Sequence, residues 1–151
     1  MSTEKKRQLR LFLRLLLIAT LCFIWGNSLL SRSDSAQISS RITVWLNSIG
    51  IPVTDHFVRK LAHFCEFGLL GCELTLLFWL RNGLRLREIC ISAVLALAAA
   101  VTDETIQIFT SRGAKLTDVL LDFAGAVTGI LFCALLVRHF FEKRIKKHTG
   151  M

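Results

Sequence analysis

The sequence has no tyrosine, one proline, and no two cysteines in the spacing Cys-x-x-Cys. Without such a pair, the cysteines indicate neither a zinc site nor a disulfide framework. All of them lie inside long apolar stretches, where a thiol usually behaves as a small hydrophobic side chain. These five residues are Cys22, Cys65, Cys72, Cys90 and Cys133.

Two further features are missing that would explain the cationic charge in other ways. The formal net charge is +8, but no basic patch is interleaved with exposed aromatic residues, as is typical of nucleic-acid binding. The basic N-terminus precedes a long apolar run, and no clear small-x-small cleavage site follows it, so we predict an uncleaved helix. We therefore expect no nucleic-acid partner and attribute the charge to membrane topology and anionic lipid.

Apolar residues are abundant, at 53% of the 151 residues. They are concentrated in four runs, and a membrane-spanning helix needs about 20 mostly apolar residues. We predict an all-α membrane protein, a bundle of four transmembrane helices in a domain at 11–141, with basic tails at 1–10 and 142–151. The predicted helices cover 11–30, 61–80, 89–109 and 116–141.

Lysine and arginine favour the cytoplasmic side of a membrane. They are concentrated in both tails and in the connection between the second and third runs. We therefore predict that both termini are cytoplasmic. The connection between the first two runs then lies outside, and Ile38, Ile42, Trp45, Leu46 and Ile49 follow helical spacing there. This short amphipathic segment either lies in the outer membrane interface or caps the bundle as part of its core.

Polar residues inside the last three runs should converge on the outer side. Three lie at the outer end of the second helix and share one arc of it, as do three on the third helix. On the fourth helix two acids share a face with Gly125 and Gly129, whose spacing allows close helix packing. With the loop cations, the predicted ligand-binding residues are Lys60, His63, Glu66, Asp103, Glu104, Gln107, Arg112, Asp118 and Asp122. Lys115 lies in the same loop.

Ionisable residues within membrane helices are costly, so they pair or line a polar cavity. A salt-bridge network that fixes helix register would explain some of them. We favour a polar site, because a structural network rarely needs so many members. Glu73 lies on the second helix about 15 Å below His63, and its position is only a weak indication of a functional role.

The order and spacing of these residues resemble the VanZ-like family of small bacterial membrane proteins. The residues that match are Lys60-x-x-His63-x-x-Glu66-Phe67, Asp103-Glu104-x-x-Gln107, Arg112, and Asp118 with Gly125. Asp122 stands where this family often has asparagine. The resemblance implies a protein of the bacterial cytoplasmic membrane with a ligand site that faces outward. The family is named for a protein that confers low-level resistance to the glycopeptide teicoplanin, so the resemblance also implies a link to teicoplanin susceptibility.

Three functions remain open from the sequence. The protein binds an envelope lipid or a lipid-linked cell-wall intermediate, with cations holding a phosphate and an apolar groove holding the tail. Alternatively it is an intramembrane enzyme acting on a lipid phosphoester or acyl group, with His63, Glu66, Asp103 or Glu104 as catalytic candidates. Thirdly, it is a structural partner that assembles through its glycine face. A divalent metal held by His63 and carboxylates is a variant of the enzyme hypothesis, but no compact metal-ligand motif is present, so we expect no metal and no cofactor.

Overall fold

The computed structural model describes residues 3–110, 113 and 115–149, and side chains within 3–31, 33–110, 113 and 115–140. In these ranges all regular secondary structure is helical, without strands. Four helices are long and apolar enough to cross a membrane, so the chain is a multi-pass membrane protein and the predicted fold class is confirmed. The helices are α1 (Thr3–Leu29), α2 (Arg32–Ser48), α3 (Asp55–Asn82), α4 (Leu86–Phe109) and α5 (Leu116–Thr149).

The helices extend beyond the apolar runs that predicted them. α3 begins at Asp55, where the Thr54 side chain accepts a hydrogen bond of 3.3 Å from the backbone N–H of Phe57. It ends at Asn82, and the next residue, Gly83, has φ of 81°, a conformation that favours glycine. Because caps and turns, rather than hydropathy, end a helix outside the hydrocarbon, each apolar run locates its helix but misses polar residues at one end or both.

α3 and α5 cross with their backbones in contact. A Cβ atom added to Gly125 would collide with the backbone carbonyl of Phe64, and one added to Gly129 would collide with that of Gly68. From the opposite side, a Cβ atom on Gly71 would collide with the carbonyl of Ala126. Small residues allow this approach between membrane helices. The glycine face of α5 is therefore covered by α3 of the same chain.

A core of small and large apolar side chains joins the four long helices. Phe67, Leu70 and Leu74 of α3 pack against Ile24 of α1 and the alanines of α4 and α5, which are Ala96, Ala99, Ala100 and Ala126. The outward faces carry many large exposed apolar side chains, such as Leu15, Phe23, Leu131 and Leu135. An apolar exterior of this kind suits lipid rather than water.

α2 turns its small polar residues inward and its apolar stripe outward. Ser39 and Thr43 are buried, whereas Ile42 is 44% exposed and Trp45 60% exposed. Ile38 and Ile49 of the same stripe are also exposed. Capping of the bundle by this stripe is therefore not observed. The arrangement favours the other alternative, an amphipathic helix with its apolar side toward the membrane interface.

Candidate functional site

The polar residues of the long helices meet at one end of the bundle, where α1 and α4 end and α3 and α5 begin. We call this the site end; α1 begins and α5 ends at the other end of the bundle. Side-chain contacts join all four helices here. Asn27 of α1 donates to Glu66 of α3 at 3.4 Å, and Lys60 of α3 pairs with Asp118 of α5 at 3.1 Å.

A cavity of about 410 Å³ opens at the site end. Its wall combines cationic, anionic and small polar side chains from α2, α3, α4 and α5, with one leucine. The lining residues are Ala36, Ser39, Asp55, His56, Arg59, Lys60, His63, Glu104, Gln107, Gly113, Lys115, Asp118, Leu121 and Asp122. A cavity with this mixture of charges is suited to a polar ligand of either sign rather than to an apolar molecule.

His63 lies between two buried carboxylates at the base of the cavity. Its Nδ1 atom is 3.9 Å from Oδ2 of Asp103 and 3.8 Å from Oδ1 of Asp122. The two aspartate side chains are 0% and 2% exposed, and that of His63 is 17% exposed. Both distances exceed hydrogen-bond length. The three groups therefore face one another across a small gap, with the imidazole on the side of the cavity.

Asp103 is held in place by donors from its own helix and from α1. Ser28 donates a hydrogen bond of 2.7 Å to its Oδ1 atom. Gln107, one turn further along α4, donates to Oδ2 at 2.9 Å and reaches the Ser28 hydroxyl at 3.3 Å. A fully buried carboxylate is tolerated when such donors satisfy it. This network fixes the position of Asp103 relative to His63.

Asp122 is buried with less support. Its side chain lines the cavity, the residue is 1% exposed, and its Oδ2 atom has no hydrogen-bond partner among the described residues. Burying a polar oxygen without a donor is costly. Such a group in a native protein calls for an explanation, and a bound ligand or ion is one of the usual ones.

Cations and the remaining acids form the rim. The side chains of Lys60 and Asp118, which form an ion pair, are each about one-third exposed. The backbone N–H of Lys115 donates to Oε2 of Glu104 at 2.9 Å, which ties the start of α5 to the end of α4. Arg59 is half-buried next to Lys60 and lines the same cavity. The rim thus carries the cations Arg59, Lys60 and Lys115, of which Lys60 is paired with Asp118.

Most of the predicted site residues lie together. Lys60, His63, Glu104, Gln107, Asp118 and Asp122 line the cavity, and Asp103 lies directly behind His63. Glu66 is not among the lining residues, because its side chain is directed to Asn27 of α1. Arg112 lies outside the described residues. Glu73 is buried away from the cavity and accepts a hydrogen bond of 2.9 Å from Thr20.

α1 and the residues just before Lys60 contribute to the site although no role is predicted for them from the sequence. Thr20, Asn27 and Ser28 each donate to an acid on another helix, and His56 and Arg59 line the cavity. The signal for the first three was present, since they are polar residues in an otherwise apolar helix. Uncharged side chains cost less to bury than charges, so their presence in a membrane helix is a weaker indication of a site.

Comparison with known proteins gives one match. A sequence profile for the family described as VanZ/LLP1 matches residues 10–137. No curated protein and no solved structure matches the chain. The matched region runs from within α1 to within α5, so it contains every residue of the cavity.

Proposed function

The chain belongs to the VanZ/LLP1 family, and from this membership and the geometry of the cavity we propose that it binds the anionic head group of a cell-envelope lipid or lipid-linked intermediate. The observation that carries the proposal is the cluster of Arg59, Lys60 and Lys115 around a polar cavity at the end of membrane-spanning helices. Arginine and lysine are the side chains that hold phosphate oxygens, arginine through two parallel hydrogen bonds.

The surface beside the cavity suits the apolar part of such a ligand. Phe57 and Leu61 of α3, and Leu116 and Leu120 of α5, are exposed at the site end. They neighbour cavity-lining residues in sequence, so the lipid-facing surface begins where the cavity ends. A head group inside the cavity would leave its acyl or prenyl chain on this surface in contact with hydrocarbon. Arg112 belongs to the proposed binding residues on the basis of its sequence position.

The orientation is part of the proposal. The concentration of lysine and arginine in both tails and in the connection between α3 and α4 favours cytoplasmic termini. The cavity would then face the outside of a bacterial cytoplasmic membrane, where lipid-linked cell-wall intermediates are used. In a cysteine-free background, a membrane-impermeant maleimide should label Ser33→Cys in intact cells and leave Asn82→Cys unlabelled. The opposite labelling would contradict this orientation.

Retained lipid tests the binding function directly. The protein is purified gently from its host membrane and examined by native mass spectrometry, as the wild type and as an Arg59→Gln, Lys60→Gln double variant. We expect a retained anionic lipid in the wild type and its loss in the variant. The matched control is Arg7→Gln with Arg10→Gln, which removes two cations at the other end and should keep the lipid. Arg112→Ala, examined alongside, tests the contribution of that residue.

Two results would contradict the proposal: a wild type without retained lipid, or an identical lipid in the double variant. An effect on teicoplanin susceptibility is the finer form of the proposal and rests on the family resemblance. It predicts that loss of this protein, or the double variant, changes teicoplanin susceptibility of the host.

Chemistry on the lipid is the second candidate function. It is favoured by one observation, the position of His63 beside two buried carboxylates. An imidazole oriented by a carboxylate can act as a general base in phosphoester or acyl transfer. Incubation of wild-type protein with a lipid extract should then produce a new species by mass spectrometry that His63→Ala fails to produce. Equal products from both proteins would exclude this candidate.

A further inference from the structure

The geometry points to a divalent transition-metal site formed by His63, Asp103 and Asp122 at the base of the cavity. One ligand atom from each of these residues lies within 4.8 Å of the other two. The site goes beyond lipid binding and does not depend on it, because it can be tested with the metal alone.

The distances fit a metal that draws the three groups together slightly. Bonds of about 2.0–2.1 Å in a tetrahedral zinc site place ligand atoms about 3.4 Å apart. The imidazole Nδ1 is 3.9 Å from the Asp103 carboxylate and 3.8 Å from the Asp122 carboxylate. A shift of about half an ångström closes the two imidazole distances, and the two carboxylate ligand atoms, which lie at most 4.8 Å apart, meet such a site with a shift of under about 1 Å by each side chain. Side-chain rotation supplies a shift of this size without movement of a helix.

Asp122 provides an independent indication of a ligand. The residue is 1% exposed and lines the cavity, and its Oδ2 atom has no hydrogen-bond partner in the part of the chain that the structure describes. A buried carboxylate oxygen without a donor is destabilising unless a cation or proton compensates it. A metal ion between Asp103 and Asp122 would compensate both negative charges at once.

The surroundings of Asp103 match those of a metal ligand. Ligating carboxylates are usually held by hydrogen bonds from neighbouring residues, which orient them before the metal binds. Ser28 and Gln107 hold the two oxygens of Asp103, one each. A carboxylate has further lone pairs beyond those that accept these bonds. Asp103 can therefore bind a metal without losing either hydrogen bond.

The donor set selects the class of metal. One imidazole and two carboxylates suit Zn²⁺, Mn²⁺ or Fe²⁺, whereas Ca²⁺ and Mg²⁺ prefer an all-oxygen shell. Three protein ligands leave at least one coordination position for water or a ligand oxygen. A metal held by His63 and carboxylates was a variant of the enzyme hypothesis, but the ligand set could not be chosen from the sequence, because the three ligands come from three different helices and form no compact motif.

Metal binding to the purified, delipidated protein tests the site. The protein is dialysed against Zn²⁺ or Mn²⁺ and its metal content is measured by elemental analysis. We expect about one ion per chain, and at least a tenfold weaker affinity in Asp122→Asn and in His63→Gln. The matched control is Glu73→Gln. It neutralises a buried acid outside the cluster, which lies on α3 about 15 Å from His63 along the helix. This control should bind metal like the wild type.

A spectroscopic signature separates ligation from a change in folding. Mn²⁺ bound to the wild type should show electron–nuclear coupling to an imidazole nitrogen, and His63→Gln should lack it. The proposal is overturned if the wild type binds no stoichiometric Zn²⁺ or Mn²⁺, if both cluster variants bind like the wild type, or if the wild type shows no nitrogen coupling. A protein that retains lipid but binds no metal would contradict this site and leave the lipid proposal standing.

Discussion

Gly129 of α5 lies directly against the backbone carbonyl of Gly68 in α3, and the space between them holds no side chain. One helical turn earlier, Gly125 lies in the same way against the carbonyl of Phe64. Two residues of the cavity lie close to these contacts in sequence. His63 precedes Phe64 by one residue, and Asp122 precedes Gly125 by three. The crossing therefore determines how closely the imidazole and carboxylate approach each other.

Gly129→Ala should destabilise the protein strongly. The added methyl group would meet backbone rather than a flexible side chain, so α3 and α5 would have to separate. Overpacking of a tight interior typically costs about 1–3 kcal/mol, and the absence of any yielding group places this case at the upper end or above. Thermal unfolding in detergent measures the effect.

Gly26→Ala is the control for that substitution. It places the same methyl group on α1, where no atom of the described residues, apart from the adjoining residues and backbone of α1 itself, lies within 4 Å of the new Cβ. We expect an unchanged or slightly raised midpoint, because alanine is the better helix former. Equal midpoints for the Gly26 and Gly129 variants would show that the crossing is looser than described.

Ser28→Ala should lower stability by removing a donor from Asp103. The hydroxyl group is buried, and it donates to Asp103 at 2.7 Å. A buried acceptor that loses its partner costs about 1–3 kcal/mol. Ser40→Ala, which removes an exposed hydroxyl bonded within its own helix, should change the unfolding midpoint little. A Ser28 variant as stable as the Ser40 variant would imply that Asp103 does not depend on α1.

Glu73 and Thr20 should respond in opposite directions to neutral substitutions. Glu73 is 2% exposed, accepts one bond from Thr20, and its Oε2 atom has no hydrogen-bond partner in the described residues. Glu73→Gln keeps an acceptor for Thr20 and avoids a buried charge, so we expect equal or higher stability. Thr20→Val leaves the acid without its donor and should cost about 1–3 kcal/mol. Unfolding midpoints of both variants decide this; a large loss in Glu73→Gln would reveal a need for the acid itself.

Trp45 should lie at the depth of the lipid head groups. The side chain is 60% exposed on the outward stripe of α2, and tryptophan favours the membrane interface. In a variant with phenylalanine at Trp25 and Trp79, brominated lipids in nanodiscs should quench its fluorescence most when the bromine is close to the head group. Stronger quenching by bromine deep in the acyl chain, or none from any position, would contradict an interfacial α2.

The number of membrane helices and the meeting of their polar residues could be predicted from the sequence. Apolar runs of membrane length are rare outside membranes, and helical phase places residues such as Asp103 and Gln107 on one face. These are local properties of one helix. Lys60, His63 and Asp118 also came together as expected, because each lies near the end of its helix that topology assigns to a single side.

Relationships between helices could not be predicted in the same way. The sequence does not state the rotation of one helix against another, so Glu66 was expected in the cavity and instead contacts Asn27 of α1. The hydrogen bond from Ser28 to Asp103 joins residues separated by 75 positions, and no local sequence pattern predicts it. The direction of the α2 stripe was undecided for a similar reason, since periodicity identifies a face and not what covers it.

α1 supplies hydrogen bonds to three acids of the bundle: Thr20 to Glu73, Asn27 to Glu66 and Ser28 to Asp103. An unrelated apolar helix of equal length would still anchor the chain in a bilayer. It would leave all three carboxylates without these donors, in surroundings where water cannot replace them. The helix is therefore not interchangeable with another membrane anchor, although hydropathy alone would score the two as equivalent.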